Sequence, residues 1–213
     1  MARIAIFANS KRPDGQCLAG FDLETREWVR PVPRTGDGIP TQRCMIGNRF
    51  IAVRDVVEMD LIRPRTISEF QRENHVVANW NWTVVGRLKA EAVERFIETD
   101  TPVLHTGNDR VDPAYLRTLD PREWKSLQLV RPRTIRFARH YFSPNRWVAH
   151  FEDTAGNSYS LKITDPIITR KLEAGQAISD NCLLTVSMAK AWTPNPAETP
   201  PICYKLVATV IEL

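Results

Sequence analysis

The phrase LIRPRTI at 61–67 returns as LVRPRTI at 129–135, and a related WVRPVPR stands at 28–34. Each couples an apolar, strand-forming run to Arg-Pro. Proline donates no backbone hydrogen bond and pushes the residue before it away from helix. A strand entering such a phrase stays extended up to the arginine and leaves its ladder at the proline, and a proline on an edge blocks addition of a further strand. Two readings follow. The phrase is a strand stop carrying a solvated arginine, or Arg30, Arg63 and Arg131 stand at strand ends around a groove and meet an anion. Its recurrence predicts the same structural corner in each half of the chain.

The rest of the sequence is read around these stops. Over the first 63 residues, ARIAIFA is a strand candidate, RPDG a turn, and QCLAGFDL and EWVRPV a hairpin pair joined by ETR. DVVEMDLI alternates Val56, Glu58 and Asp60 against Val57, Met59 and Leu61, the period of a strand with one wet face. From 87 to 125 the pattern turns helical. Leu88, Ala92 and Phe96 recur every fourth residue, with Glu91 and Arg95 paired on the wet side. Asp112-Pro113 and Asp120-Pro121 are cap-plus-first-turn signals for two short helices. From 126 strands return in SLQLVRP, RWVAHFED and NSYSLKI. A compact helix follows, capped by Asp165, opened by Pro166 and stopped by Gly175. CLLTVSMAKA and CYKLVATVIEL are further strands, separated by the proline-rich loop WTPNPAETPP. The expected layout is a β unit over 1–86, a helical bridge over 87–125 and a second β unit over 126–213. The fold class is mainly β with a few helices, as two barrels of similar kind.

Composition narrows the function. Lys and Arg exceed Asp and Glu by four charges, and 22 of the 29 basic residues are arginine. Guanidinium forks suit phosphates and base edges, and they stack on rings. The window 125–151 holds no acid. It carries Lys125, Arg131, Arg133, Arg136, Arg139 and Arg146 interleaved with Phe137, Tyr141, Phe142, Trp147 and Phe151. Cations that follow a phosphate backbone beside rings that stack on bases are the components of a single-strand groove. The competing reading puts the rings in a core and the arginines on a wet rim; strand alternation alone turns Trp147, Ala149 and Phe151 inward. Four scattered cysteines without a CxxC spacing point to buried free thiols and no zinc site. No Walker, GxSxG or HExxH motif occurs, and no cofactor is expected. QRENH at 71–75 and HTGNDR at 105–110 offer Glu73 with His75, and His105 with Asp109, as acid–base pairs. No apolar run reaches the about 20 residues needed to span a bilayer, and the first residues lack a cleavable leader pattern. A cytoplasmic location is expected.

Taken in order, CLAGFDLETREWVRPV, DVVEMDL, QRENH, GNDRV, LVRP, LKITDP and CYKLVATVIEL resemble the bacterial dual OB-containing domain family across nearly the whole chain. The chain differs from that family's pattern around 187–203 and at His75. The resemblance implies two OB-like β-barrels joined by a helical bridge, and a role in nucleic-acid or nucleotide binding in a bacterial defence or conflict setting. The expected function is a non-catalytic binding module for nucleic acid, single-stranded in preference, or for a nucleotide. Arg131, Arg133, Arg136 and Arg139 would hold phosphates, and Tyr141, Phe142 or Trp147 would stack on bases. Arg30, Arg63, Arg110 and Lys205 are further contact candidates. The alternatives are an enzyme acting on nucleotides or nucleic acid and an adaptor for a protein encoded nearby.

Overall fold

Alternation lays down both sheets. The computed structural model describes residues 1–12, 14–64, 70–193 and 200–213. In chain order its strands are β1 (Ala2–Arg12), β2 (Gly15–Asp22), β3 (Trp28–Val32), β4 (Met45–Ile46), β5 (Arg49–Phe50), β6 (Asp55–Met59), β7 (Leu61–Ile62), β8 (Asn74–Val77) and β9 (Thr83–Arg87). They continue as β10 (Arg110–Val111), β11 (Leu127–Val130), β12 (Thr134–His140), β13 (Ser143–Glu152), β14 (Ser158–Ile163), β15 (Cys182–Met188) and β16 (Cys203–Glu212). The α-helices are α1 (Ala90–Val93), α2 (Pro113–Leu116) and α3 (Pro166–Glu173). The chain forms two units. One comprises Met1–Ile67, Glu73–Phe96 and Leu213, and the other Ser68–Arg72 and Ile97–Glu212.

In the first unit, Ile4, Ile6, Leu18, Val57 and Met59 point into one apolar cluster with Val29, Ile39 and Trp82. This is the side of β6 that its alternation marks as apolar. β1 lies antiparallel between β2 and β6, β2 pairs with β3, β3 runs parallel to β8, and β8 pairs with β7. β6 and β7 are separated by Asp60 alone, yet β6 lies beside β1 and β7 beside β8. One bent strand therefore serves two neighbours and closes the ring. β9 extends the sheet past β6. The fully buried Asp55 carboxylate ties this end together, accepting from Arg49 at 2.7 Å and Arg87 at 2.8 Å.

The second unit repeats the plan. β12, β13 and β14 form a meander, β14 runs parallel to β16, and β15 lies between β16 and β11. Here β11 and β12 are the halves of the broken strand, parted at Arg131–Arg133 and placed at opposite ends of the sheet path. Both units thus follow the order first, second, third, fifth, fourth, back to first, with a parallel third–fifth pair. That is the five-stranded Greek-key OB barrel. α3 sits between the third and fourth strands of the second barrel. Its core gathers Val130, Ala149, Phe151, Tyr159, Leu161 and Val207.

The repeated phrase does not mark one corner twice. β7, ahead of Arg63-Pro64, is the later half of a broken fourth strand; β11, ahead of Arg131-Pro132, is the earlier half of a broken first strand. What recurs is the local rule, since each strand ends just before Arg-Pro. Arg65, Thr66 and Ile67 of the first copy lie outside the described residues, as do Pro13 of the RPDG turn and 194–199 of the proline-rich loop. Arg30-Pro31 breaks the rule and lies within β3. The Arg30 N–H donates to the Glu73 carbonyl at 2.7 Å, on the β8 side. Pro31 has its missing donor on the other side, where pairing with β2 has ended at Val29.

The helix expected from Leu88 to Phe96 shrinks to α1 and one 3₁₀ turn, Glu94–Phe96. The Leu88 N–H still bonds to the Arg54 carbonyl of the sheet, and Lys89 provides no side-chain cap. The remaining segment is shorter than a helix sustains without strong packing. The cap signals hold. Asp112 and Asp165 accept from the first helical N–H groups, and Asp120 forms a full capping box over a 3₁₀ turn. All four cysteines are free, and all but Cys17 are buried. Among the described residues no helix is long and apolar enough to cross a membrane.

Candidate nucleic-acid interface

OB barrels take ligands across their second and third strands, between the loop joining strands one and two and the loop joining four and five. In the second unit these are β13 and β14, the β12–β13 hairpin and the segment between β15 and β16. Period-two alternation sorts this sheet. Ile135, Phe137, Trp147, Ala149, Phe151, Tyr159 and Leu161 join or pack on the core. Arg136, His150 and Ser160 form one cross-strand row on the other face, and Val148 and Lys162 the next.

A cleft of about 810 Å³ lies over this face. Arg110 enters it from β10, paired with Tyr204 on β16. Arg146 comes from β13, Ser160 and Lys162 from β14, and His140 from the end of β12. Trp192 and Tyr204 supply a ring wall, their centroids 6.2 Å apart. Asp109 is the single acid of the lining, and its carboxylate accepts the Ser160 N–H at 2.8 Å. Among the described residues no carboxylate pairs with Arg110, Arg146 or Lys162. Burial, and then the neighbouring Arg146 charge, hold the Lys162 ammonium below its ordinary pKa. Three such cations against one carboxylate leave a positive field for an incoming anion.

Lys205 underlies this cleft and does not reach out of it. Its Nζ donates to the Val103 carbonyl at 2.7 Å, the Thr106 carbonyl at 2.5 Å and the Thr106 hydroxyl at 3.1 Å, and it sits 5.1 Å from the Tyr159 ring centroid. Burial pushes its pKa down to about 7, against the pull of Asp109 and Asp153. An ammonium has three donors, and all three are engaged. Below it, Asp153 accepts from Asn157, the Ala155 N–H and the Tyr159 hydroxyl.

The other sequence candidates scatter. Arg136 projects from the same face into an adjoining cleft of about 380 Å³ with His150 and Glu152. Arg139 pairs across the ladder with Trp147, on the opposite face, and its guanidinium lies 4.1 Å from that ring's centroid. Trp147 packs on the core, so its ring is not open for stacking on a base. Tyr141 and Phe142 crown the β12–β13 hairpin at 87% and 85% exposure, edge to face at 4.8 Å. Arg131 lies at the barrel corner, 3.4 Å from Asn181, and Arg133 lines a shallow recess with Asp180. Arg63 is exposed after β7 in the first unit. Arg30 is buried there, paired with Glu73 at 2.7 Å and with Asn74 at 3.3 Å. Neither expected acid–base pair is assembled. Glu73 faces Arg30 while His75 Nδ1 meets the Glu73 carbonyl, and His105 Nε2 is held between the Lys125 N–H and carbonyl.

Sequence reasoning missed Lys162, Trp192 and Tyr204, while His140 lies within the acid-free window. Alternation in SYSLKI marks Ser158, Ser160 and Lys162 as outward, but the side that meets a cleft is decided by β16 and β10, distant in sequence.

Two strand-broken barrels, one with a basic, ring-walled cleft over its second and third strands, define a double-OB protein. The chain belongs to the dual OB-containing domain family, whose model matches residues 2–210. No curated protein matches it. The whole chain is similar to 96% of a solved chain described as "Structure of murine DNA binding protein bound with ds DNA", at 11% identity and a TM-score of 0.32. At that score the likeness carries no argument about ligands.

Proposed function

We propose that the second barrel binds single-stranded nucleic acid or nucleotides without catalysing their turnover. The observation that carries this is the cleft over β13 and β14, where Arg110, Arg146 and Lys162 face a ring wall of Trp192 and Tyr204. Cations take phosphates and rings take bases, which is how sequence-tolerant single-strand sites work. The exposed Tyr141–Phe142 pair stands on the neighbouring β12–β13 hairpin. Engagement of Glu73, His75 and His105 in internal bonds supports binding over acid–base catalysis. On the family resemblance, the module acts in a bacterial defence or conflict setting.

Fluorescence anisotropy with labelled single-stranded DNA, single-stranded RNA and duplex DNA at two salt concentrations tests the reading. Single strands should bind more tightly than duplex, with affinity falling as salt rises. Arg146→Ala with Lys162→Ala should reduce the salt slope by about 0.7 per lost phosphate contact. Unchanged affinity in that double variant removes the cleft from the reading.

A further inference from the structure

The cleft is bounded, and its boundary has a charge. Asp109 and Ser160 line both the 810 Å³ cleft and the adjoining 380 Å³ one, so the two meet at the Asp109 carboxylate. Beyond that point the balance of charge reverses. The smaller cleft has Asp109 and Glu152 against Arg136 alone among permanent cations. Its His150 is held below the ordinary imidazole pKa, first by burial and then by Arg136. A phosphate backbone running along β14 would leave Lys162 and, two residues on, at about 6.6 Å along the strand, meet the carboxylate held at Ser160. Carboxylates repel phosphates, and Asp109 is fixed in place by the Ser160 N–H. The other limit is the wall of Trp192 and Tyr204. The cleft volume falls within the about 300–1,000 Å³ of small-ligand clefts. The His140 ring lines the cleft with Arg146.

From this geometry we infer that the cleft is a bounded site for a phosphorylated mono- or dinucleotide, and not a segment of a track for a long strand. The base lies against Trp192 and Tyr204. The phosphate lies between Arg146 and Lys162. Asp109 ends the site. The inference rests on the proposed function and specifies the size class of its ligand.

Calorimetric titration of the full chain with 5′-phosphorylated oligothymidylates of one, two, four, eight and sixteen residues tests it. The dinucleotide should bind, and per-site affinity should change less than about threefold from two residues to sixteen. Arg146→Ala and Lys162→Ala should each weaken the dinucleotide by about tenfold or more, while Arg136→Ala, across the Asp109 boundary, should change it by less than about twofold. Affinity that climbs steadily to sixteen residues, or equal losses in all three variants, overturns the bounded site and leaves nucleic-acid binding standing. Failure of every length to bind overturns the proposed function itself. Asp109→Asn gives an independent reading. Removing the boundary charge should restore length dependence, and an unchanged length profile shows that Asp109 is not the limit.

Discussion

Two buried acids decide what their neighbours can do. Arg30 looks like a ligand contact by position, but its guanidinium and the Glu73 carboxylate are 4% and 7% exposed and 2.7 Å apart. Removing one partner strands the other charge in the interior. Arg30→Ala should therefore lose about 3–5 kcal/mol in denaturant unfolding and leave ligand affinity per folded molecule unchanged. Asp153 works by hydrogen bonding. Burial pushes its pKa up, but donors from Asn157, Tyr159 and Ala155 outweigh this and hold it below 3.8. A depressed carboxylate stabilises the fold at pH values above its unfolded pKa, and that contribution fades as pH falls through the lower folded value. Asp153→Asn should cost about 1–3 kcal/mol at neutral pH. The gap to the unaltered protein should narrow below about pH 4, as thermal melts across pH 2.5–7 (about that range) would show. A constant gap would mean that the aspartate acts through shape alone.

Elements were legible where their causes are local. α3 is specified within eleven positions: Asp165 caps, Pro166 opens and Gly175 takes φ +71° at the stop. Asp165 Oδ1 accepts from Ile167 and Ile168, while Oδ2 accepts from Val210 on β16 at 3.2 Å, so one side chain serves both helix and sheet. Asp165→Ala should lower stability by about 2 kcal/mol, the upper end for a lost cap, measured by chemical denaturation; a loss near zero would mean that water replaces both bonds. Other elements were illegible because their causes are distant. Pro31 survives inside β3 because β2 stops pairing two residues earlier. The 88–96 segment has a helical period but is held to the sheet at Leu88. The cleft is the extreme case. Arg110, Arg146, Lys162, Trp192 and Tyr204 come from separate stretches, and only the strand order brings them together. The acid-free window contained Arg146, but the same window held Arg139, which alternation sends to the other face.

At the scale of the whole molecule, the two barrels share a strand order and differ in what covers their faces. Over β1 and β2 of the first unit, Phe7 packs against Phe21 at 5.8 Å and against Phe96 at 5.1 Å, and Trp28 lies 4.3 Å from Phe21. Phe7 is fully buried and Phe21 nearly so. The first unit fills with its own rings the face that the second leaves open and charged. Calorimetry with a short single strand should accordingly give one site per chain, and a stoichiometry of two would show that the first face also binds. The halves were legible as two β units because strand signals cluster on either side of a helical stretch. Which half keeps an open face was not, because ring burial depends on contacts such as Phe7 with Phe96. The arginines of β12 have one more consequence. β12 ends its sheet path, pairing with β13 alone among the described strands, and an extended strand with a free side is a template for joining another chain. Arg136 and Arg139 place bulky charge on both faces of that margin. Replacing them with small apolar residues exposes the protein to strand-by-strand association, so light scattering belongs ahead of any affinity measurement on such variants, and a rise in mass there reports a lost guard against aggregation and not a lost ligand contact.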